Sequence, residues 1–268
     1  RIGSLLRRAW QAEPPAGLAV QWHARQAGPG ADLVWDVLGP QPAPLLAPGA
    51  VVLNLTGVTA GDAAALAANV ALGRAVQAQA GLWGARAVLH LSSAAVYAGH
   101  PRHLADETDE PAPPGPYGQA KLAMEHAVRA LGGPPATMIR LGNVAGADAL
   151  LGRAVPPVAL DPVPGLPRGP LRSYIGPQSL GRALACLCRQ ATTGAALPLH
   201  LNLAQAPEVA MADLLDAAGL AWHWAPPNPR VLPRAVMAVA RLAALCPLPP
   251  ADPARMVAEW RQLRQVPA

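Results

Sequence analysis

Three apolar runs of strand length constrain the fold of this chain more than any other feature. They are residues 50–55 (Ala-Val-Val-Leu-Asn-Leu), 87–92 (Ala-Val-Leu-His-Leu-Ser) and 136–141 (Ala-Thr-Met-Ile-Arg-Leu). Such runs are typical of parallel strands, which are buried on both faces because helices cover both sides of the sheet. Segments of helical length rich in alanine separate the runs. Strands that alternate with helices in this way predict an α/β fold with a doubly wound parallel sheet.

Weaker patterns predict the remaining elements of the chain. We expect further strands at Leu18–Trp22, Leu33–Leu38 and Leu199–Leu203, and helices over 1–12, from a cap at Asp62 to about Ala80, over 177–189, over 211–218 and over 253–265. The segment 147–172 is rich in Pro and Gly and shows little periodicity, so the regular alternation is expected to stop after Gly146.

Composition excludes several classes of protein. At 268 residues the chain can build one sizeable core. Although 52% of the residues are apolar, no run of about 18 apolar residues lacks a charge or a proline, so no membrane span is predicted. The net charge is +5, but the arginines are scattered, and we expect no nucleic-acid partner.

The cysteines and histidines indicate neither a metal site nor a set of disulfides. Cys186 and Cys188 lie in a predicted helix, where residues two apart do not face each other. With Cys246 they make an odd number, so at least one is unpaired, and buried packing in a reducing cytoplasm is the expected interpretation. The histidines show no metal-ligand spacing, and no metal is predicted.

The segment Pro116–Glu125 carries the clearest chemical signal. Tyr117 and Lys121 are four residues apart, so they share one face of the predicted helix. A nearby ammonium favours the phenolate and would lower the pKa of Tyr117, which makes the phenol a usable acid and base near neutral pH. Lys121 is also the only lysine in the chain, and arginine is a poor substitute for a compact ammonium.

Two features near the start of the chain indicate a dinucleotide. Gly3 opens the first predicted helix and can be the last glycine of a dinucleotide fingerprint whose earlier glycines, and the strand before them, would lie upstream. After the predicted strand at 18–22, an acid would be expected to hold a ribose diol, but the chain has Arg25 there instead. Arg25 could meet a 2′-phosphate, which favours NADP over NAD; the alternative is a solvated loop residue.

Three motifs in order resemble the extended short-chain dehydrogenase/reductases, the NAD-dependent epimerase/dehydratase family. They are Ser92-Ser93-Ala94-Ala95-Val96-Tyr97, then Pro116-Tyr117-Gly118-x-x-Lys121-x-x-x-Glu125, then Arg140-x-x-Asn143-x-x-Gly146. The resemblance covers most of the chain and loosens after about residue 205. It implies a Rossmann-type sheet with a small C-terminal substrate lobe, and an enzyme that transfers hydride between NAD(P) and a carbon bearing oxygen.

The resemblance also implies roles for matching residues. Ser93, Tyr117 and Lys121 would be catalytic: Tyr117 as acid and base, Ser93 holding the reacting oxygen, and Lys121 binding the nicotinamide ribose. Ser93, Asn143 and Arg172 would contact substrate, Arg172 through a phosphate. The cofactor would be NAD or NADP, and its expected contacts are Ile2, Gly3, Arg25, Asp36, Val37, Leu55, Thr56, Gly57, Tyr117 and Lys121.

Departures from the family pattern narrow the expected reaction. In 4,6-dehydratases an acidic pair follows the catalytic serine or threonine, whereas this chain has Ala94 and Ala95, so dehydratase chemistry is not expected. The stretch between Arg140 and Arg172 is shorter than in UDP-galactose 4-epimerases. Three functions stay open: an epimerase or oxidoreductase of a sugar-nucleotide-like substrate, an NADPH-dependent reductase of a smaller carbonyl compound, and a dinucleotide-binding sensor without catalysis.

The expected organisation follows from these assignments. Residues 1–146 plus 177–205 would form the dinucleotide-binding domain, and 147–176 plus 206–268 the substrate lobe. The expected partners are a small-molecule substrate, such as a nucleotide sugar, and a second copy of the chain. The expected location is the cytoplasm.

Overall fold

The computed structural model describes residues 2–28, 30–40, 46–97 and 103–266. The helices are α1 (Ile2–Ala12), α2 (Ala63–Leu82), α3 (Pro116–Leu131), α4 (Pro177–Thr192), α5 (Met211–Ala217), α6 (Ala240–Leu245) and α7 (Pro253–Gln265), with a 3-10 turn at Ala94–Val96. The strands are β1 (His23–Ala24), β2 (Leu33–Val34), β3 (Val51–Asn54), β4 (Ala87–Ser93), β5 (Ala136–Leu141), β6 (Asn143–Val144), β7 (Val158–Leu160), β8 (Leu171–Arg172), β9 (Tyr174–Ile175), β10 (His200–Leu203), β11 (Val209–Ala210), β12 (Trp222–Trp224) and β13 (Arg234–Ala235).

The three apolar runs form neighbouring strands of one parallel sheet, which confirms the predicted fold class. The sheet has the order β10-β5-β4-β3, and all of its pairings are parallel. In the register, Asn54 lies opposite His90, and Ser93 lies opposite Leu141. Because the strands are parallel, their carboxyl ends share one edge of the sheet, and this edge carries the motifs singled out above.

Helices cover both faces of this sheet because alternate side chains of each strand point to opposite sides. On one face, Leu89 and Ile139 pack with α1 and α4 in the main core. On the other face, Val88 packs with α2, and Met138 packs with α3. Burial of each leucine or isoleucine contributes about 1.5–3 kcal/mol, so the sheet is held from both sides. This packing explains why the three strand-length runs have apolar residues at successive positions.

The N-terminal strands differ from the prediction. Leu18–Trp22 is not a strand; pairing begins only where the Trp22 carbonyl accepts from Asp32 and Leu33, and β1 follows at His23–Ala24. Leu18 and Trp22 pack instead against the main core. The β1–β2 pair is a separate two-stranded parallel sheet that is not hydrogen-bonded to β3 among the described residues. The predicted strand was therefore shifted, because apolar side chains were taken for strand pairing.

The region after Gly146 contains short strands despite its lack of periodicity. The three small sheets have the orders β11-β8-β13, β12-β7 and β6-β9. α6 places Leu242 in the main core, while α7 packs against α4 and α5. The proposed division into 1–146 plus 177–205 and 147–176 plus 206–268 stays a prediction.

The cysteine prediction is wrong in one respect. Cys186 and Cys246 form a disulfide, with sulfur atoms 2.15 Å apart. The sequence argument compared Cys186 only with Cys188, its neighbour in the helix, whereas the partner lies 60 residues away. Cys188 is free and buried, and burial raises the pKa of its thiol to about 12. A disulfide is uncommon in a reducing compartment, so the cytoplasmic location stays a prediction.

No helix within the described ranges has the length and apolar character that crossing a membrane would require.

Candidate active site

Ser93 ends β4 at the carboxyl edge of the sheet and shapes the turn that follows. Its hydroxyl accepts a hydrogen bond of 3.1 Å from the Ala95 amide, so it is the N-cap of the 3-10 turn at Ala94–Val96. This cap fixes the Ser93 side chain at the end of the strand. Ala94 and Ala95 add no carboxylate to the turn.

α3 carries Tyr117 directly to this turn. The helix starts at Pro116, a position where proline is favoured because its missing N–H has no partner in the first turn. A Cβ atom on Gly118 would lie 2.0 Å from the Ala95 carbonyl oxygen, so only glycine allows the helix to approach so closely. As a result, the Tyr117 hydroxyl comes close enough to Ser93 for the serine hydroxyl to lower the phenol's pKa. The structure thus brings these two predicted catalytic residues together.

The environment of Tyr117 differs from the sequence expectation. Burial raises the pKa of the phenol, and the nearby Ser93 hydroxyl opposes this shift. Lys121 is not among the groups that shift the Tyr117 pKa, so the expected lowering by the ammonium is wrong. The reason is that the ammonium points elsewhere.

Lys121 reaches under the end of β4. Only 4% of the residue is exposed, and its ammonium donates a hydrogen bond of 2.9 Å to the Leu91 carbonyl. Burial lowers the pKa of Lys121 to about 8, while the nearby Glu125 opposes the shift. A Cβ on Gly57 would lie 3.0 Å from the Lys121 Nζ, so the ammonium also touches the segment that follows β3.

The predicted cofactor segments at the ends of α1 and β3 lie beside one another. Gly3 faces the Leu55 side chain, since a Cβ there would lie 3.9 Å from Leu55 Cδ1, and Ile2 packs against the same core cluster as Leu55. Asn69 of α2 holds the next loop through two hydrogen bonds with the backbone of Val58. The start of α1, residues 55–57 and Lys121 therefore converge.

Three further predicted cofactor residues lie apart from this group. Arg25 Nε pairs with the Asp36 carboxylate at 3.2 Å on the surface, and Asp36 also accepts from the Leu38 amide. Val37 is buried against Val76 and Val88. Val37 thus packs in a different hydrophobic cluster from Ile2 and Leu55.

The predicted substrate residues lie on the short strands beyond β5. Asn143 lies opposite Tyr174 in the β6–β9 pairing, and the Tyr174 hydroxyl donates to Asp148 at 2.9 Å. Arg172 donates to the carbonyls of Leu171 and Pro233, and burial lowers the pKa of its guanidinium. No carboxylate of the described residues forms an ion pair with Arg172 within 4.0 Å. A half-buried guanidinium of this kind can accept an incoming anion.

A buried charge network that the sequence reasoning did not identify lies beneath the site. Arg140 donates to Glu125 from Nε at 3.2 Å and from Nη2 at 2.8 Å. Glu125 also accepts a 2.5 Å hydrogen bond from Ser92, and Arg140 donates to the Tyr97 hydroxyl at 2.9 Å. The signal was present in the sequence: Arg140 interrupts an apolar strand, and Glu125 follows Lys121 by one helical turn.

A cavity of about 610 Å³ lies elsewhere, between α1 and α7. Its lining includes Arg8, Gly146 and Trp260, but not Ser93, Tyr117 or Lys121. The cavity therefore does not mark the catalytic group.

Comparison with known proteins agrees with this architecture. Residues 50–150 match the family model of the RmlD substrate binding domain. A search of curated protein sequences found no significant match.

Solved structures match over nearly the whole chain. A UDP-glucuronic acid 4-epimerase from Bacillus cereus is 15% identical, with a TM-score of 0.74 over 99% of this chain and 96% of that one. A UDP-glucose-4-epimerase from Stenotrophomonas maltophila is 15% identical, with a TM-score of 0.75 over 98% and 95%. A dTDP-glucose 4,6-dehydratase from Streptomyces venezuelae is 18% identical, with a TM-score of 0.69 over 98% and 94%. All three structures contain NAD. At these identities the likeness establishes the fold.

Proposed function

Since the matched segment and the fold support assignment to the extended short-chain dehydrogenase/reductases, we propose that this protein is an NAD-dependent oxidoreductase or epimerase. Its substrate is a sugar-nucleotide-like molecule, and hydride is transferred at a carbon that bears oxygen. The observation that carries the proposal is the approach of Tyr117 to Ser93, which is close enough for the serine to lower the phenol's pKa, with Lys121 one turn further along the same helix.

The residues that converge at the end of β3 fit a dinucleotide. Gly57 leaves no room for a side chain, because a Cβ there would meet Lys121 Nζ and Asn69 Oδ1 at 3.0 Å each. An ammonium carries three donors, and the bond to Leu91 uses one of them. In this proposal Ile2, Gly3 and residues 55–57 hold the dinucleotide, and Lys121 binds ribose hydroxyls.

NAD suits these residues better than NADP. Arg25, the candidate for a 2′-phosphate, is paired with Asp36 and so already has a carboxylate partner. The solved structures of similar fold contain NAD. The preference for NADP that the sequence suggested is not supported.

The chain's own groups perform the proton transfer. A bound nicotinamide supplies the hydride acceptor and donor. During oxidation of a secondary alcohol, Tyr117 as phenolate takes the hydroxyl proton, and during reduction the phenol returns it to the carbonyl oxygen. Ser93 holds the same oxygen through a hydrogen bond, which limits the charge that builds up there. An ammonium brought close to Tyr117 with the ligand in place would lower the phenol's pKa, the opposite of the shift that burial produces.

A nucleotide sugar is favoured over a smaller carbonyl compound by Arg172. Its guanidinium is half-buried and bonded to main-chain carbonyls. The charge of Asp161 acts on it without an ion pair within 4.0 Å, so a diphosphate could pair with it directly. With Ala94 and Ala95 after Ser93, the proposed site has no acidic pair for water elimination. Arg172→Gln is expected to raise the KM for a nucleotide sugar about tenfold or more, with a smaller change in kcat.

The proposal is tested with the purified chain, NAD and a panel of UDP- and dTDP-sugars, followed by NMR of the sugar. Exchange of isomers without net change in NAD supports an epimerase, and accumulation of NADH supports an oxidoreductase. Tyr117→Phe should lower turnover by at least ~10²-fold and leave NADH affinity near normal. Tyr97→Phe is the matched control: it removes a buried phenol bonded to Asn202 and Arg140, so it should lower stability but change turnover only a few-fold. Equal turnover in Tyr117→Phe and wild type would refute the assigned role.

A further inference from the structure

A series of buried hydrogen bonds runs from α2 along one face of the sheet, over β4 and β3, and ends at Thr56. Gln77 of α2 donates from its amide nitrogen to the carbonyls of Gly132 and Pro134, at 2.9 and 2.8 Å. His90 Nε2 lies 3.0 Å from Gln77 Oε1, and Asn54 Nδ2 lies 3.0 Å from His90 Nδ1.

The last link reaches the proposed cofactor segment. Asn54 Oδ1 accepts from the Thr56 hydroxyl at 2.7 Å and from the Thr56 amide at 3.0 Å. The three internal members are almost completely buried: Asn54 is 4% exposed, His90 0% and Gln77 2%. Thr56, by contrast, is partly exposed at the end of β3.

The two main-chain carbonyls that Gln77 contacts determine which group donates and which accepts in every hydrogen bond from Gln77 to Thr56. Main-chain carbonyls can only accept, so the Gln77 amide must present its nitrogen to them and its oxygen to His90. His90 then carries its proton on Nε2, and the bare Nδ1 requires a donor, which is the Asn54 nitrogen. Asn54 Oδ1 is left to face Thr56, so the Thr56 hydroxyl must donate its only proton inward.

The hydrogen bonds from Gln77 to Thr56 require a neutral His90, and the environment of the ring keeps it neutral. Burial lowers its pKa to about 4, and the positive charge of Lys121 adds to this effect. A second proton on the ring would make Nδ1 a donor, and it would then face Asn54 Nδ2, which is also a donor. Burial and the Lys121 charge therefore preserve the donor and acceptor roles along these hydrogen bonds at neutral pH.

We propose that Gln77, His90 and Asn54 are positioning residues that make Thr56 an obligate hydrogen-bond acceptor toward the bound dinucleotide. The inference rests on the proposed function. Thr56 lies between Leu55, which faces the start of α1, and Gly57, which touches Lys121 Nζ. With its proton committed to Asn54, the hydroxyl oxygen attracts a donor such as a ribose hydroxyl or a carboxamide N–H, and it disfavours a phosphate oxygen at that point. Thr56 is thus a specificity-determining contact.

The tautomer of His90 gives a direct test of the chain. In a long-range ¹⁵N–¹H spectrum of the imidazole groups, assigned with His90→Gln, we expect His90 to be protonated on Nε2 only. Its signals should not change between pH 5.5 and pH 8, a range chosen to lie above the pKa of about 4. A proton on Nδ1, or titration near pH 6.5, would overturn the inference whether or not the protein binds NADH.

Affinity for NADH tests the role of Thr56. Thr56→Val keeps the shape and the amide bond to Asn54 but removes the acceptor, so NADH should bind about 3- to 10-fold more weakly. Thr56→Ser keeps the acceptor and should bind nearly as wild type does. Asn54→Leu, which frees the Thr56 proton, should weaken binding similarly, and the Asn54→Leu/Thr56→Val pair should be no weaker than either single variant, because both act on one contact.

The outcomes separate the two proposals. If wild type binds NADH and Thr56→Val binds it equally well, the acceptor role is wrong while the proposed function stands. If the two single effects add fully in the double variant, Asn54 does not act through Thr56. If wild type binds neither NADH nor NAD, the proposed function fails and takes the role of Thr56 with it. If Asn54→Leu does not fold, the comparison of Thr56→Val with Thr56→Ser and the imidazole spectrum of His90 still test the proposal.

Discussion

The buried ion pair that joins α3 to β5 gives the sharpest stability prediction. The side chains of Glu125 and Arg140 are 1% and 2% exposed, and two hydrogen bonds join them. Glu125→Gln keeps the size but leaves the Arg140 guanidinium buried without a counter-charge. Removal of one partner of such a pair costs about 3–5 kcal/mol, which for a domain of this size lowers Tm by roughly 6–20 °C.

Urea unfolding followed by far-UV circular dichroism at pH 7 measures this loss. The matched control is Glu13→Gln. Glu13 pairs with Arg182 through hydrogen bonds of similar length, but these side chains are 49% and 51% exposed, so the expected loss is below ~1 kcal/mol. A loss in Glu125→Gln as small as that of the control would refute the reasoning.

A double variant distinguishes the cost of an unpaired buried charge from the cost of altered side-chain packing. In Glu125→Leu/Arg140→Met no buried charge remains from the pair, so the loss should be smaller than in Glu125→Gln alone. The Ser92 hydroxyl, which donates to Glu125, still loses its acceptor, and this contributes about 1–3 kcal/mol. A double variant less stable than Glu125→Gln would show that packing, and not charge, dominates.

Three further predictions follow from the same geometry. Gly118→Ala should lower kcat and Tm, because its Cβ would lie 2.0 Å from the Ala95 carbonyl, whereas Gly115→Ala, with open space around it, should change both little; equal effects would contradict the close approach. Below pH 6.5 the wild type should lose stability as the pH falls toward about 4, because the unfolded chain protonates His90 before the folded one does. The loss from this group is at most ~3 kcal/mol. In His90→Gln, the free energy of unfolding measured with urea should depend less on pH by this amount. Activity should fall above pH 8 as Lys121, with a pKa of about 8, loses its charge, and in Glu125→Gln this limb of the pH–rate profile should move to lower pH, since Glu125 raises that pKa; an unchanged limb would contradict the assignment.

The sequence was most informative where local pattern and tertiary packing agree. The run 136–141 is a strand over the predicted range, β5, because apolar residues with no turn signal fill both faces of a central strand. Asp62 caps α2 by accepting from the Ala65 amide, as its position before an alanine-rich segment predicted. Pro116 begins α3, since proline is compatible with the first turn and not with the helix interior.

The failures concern contacts between distant parts of the chain. The pKa of Tyr117 depends on where the Lys121 side chain ends, and spacing along a helix does not determine that; a carbonyl of β4 attracts the ammonium. Cys246 follows α6 and pairs with Cys186 of α4, at a place where Gln190 of α4 also donates to the Leu245 carbonyl. The polarity of the hydrogen bonds from Gln77 to Thr56 depends on two carbonyls after α3, and no local sequence signal identifies them.

The solitary lysine has a practical consequence for spectroscopy. Because Lys121 is the only lysine among 268 residues, protein grown with isotope-labelled lysine carries one labelled side chain, and it lies at the centre of the catalytic group. Its resonance needs no assignment by mutation, and it can be followed through titration with any dinucleotide or sugar. One signal thereby reports ligand occupancy at the place where the chemistry is proposed to happen.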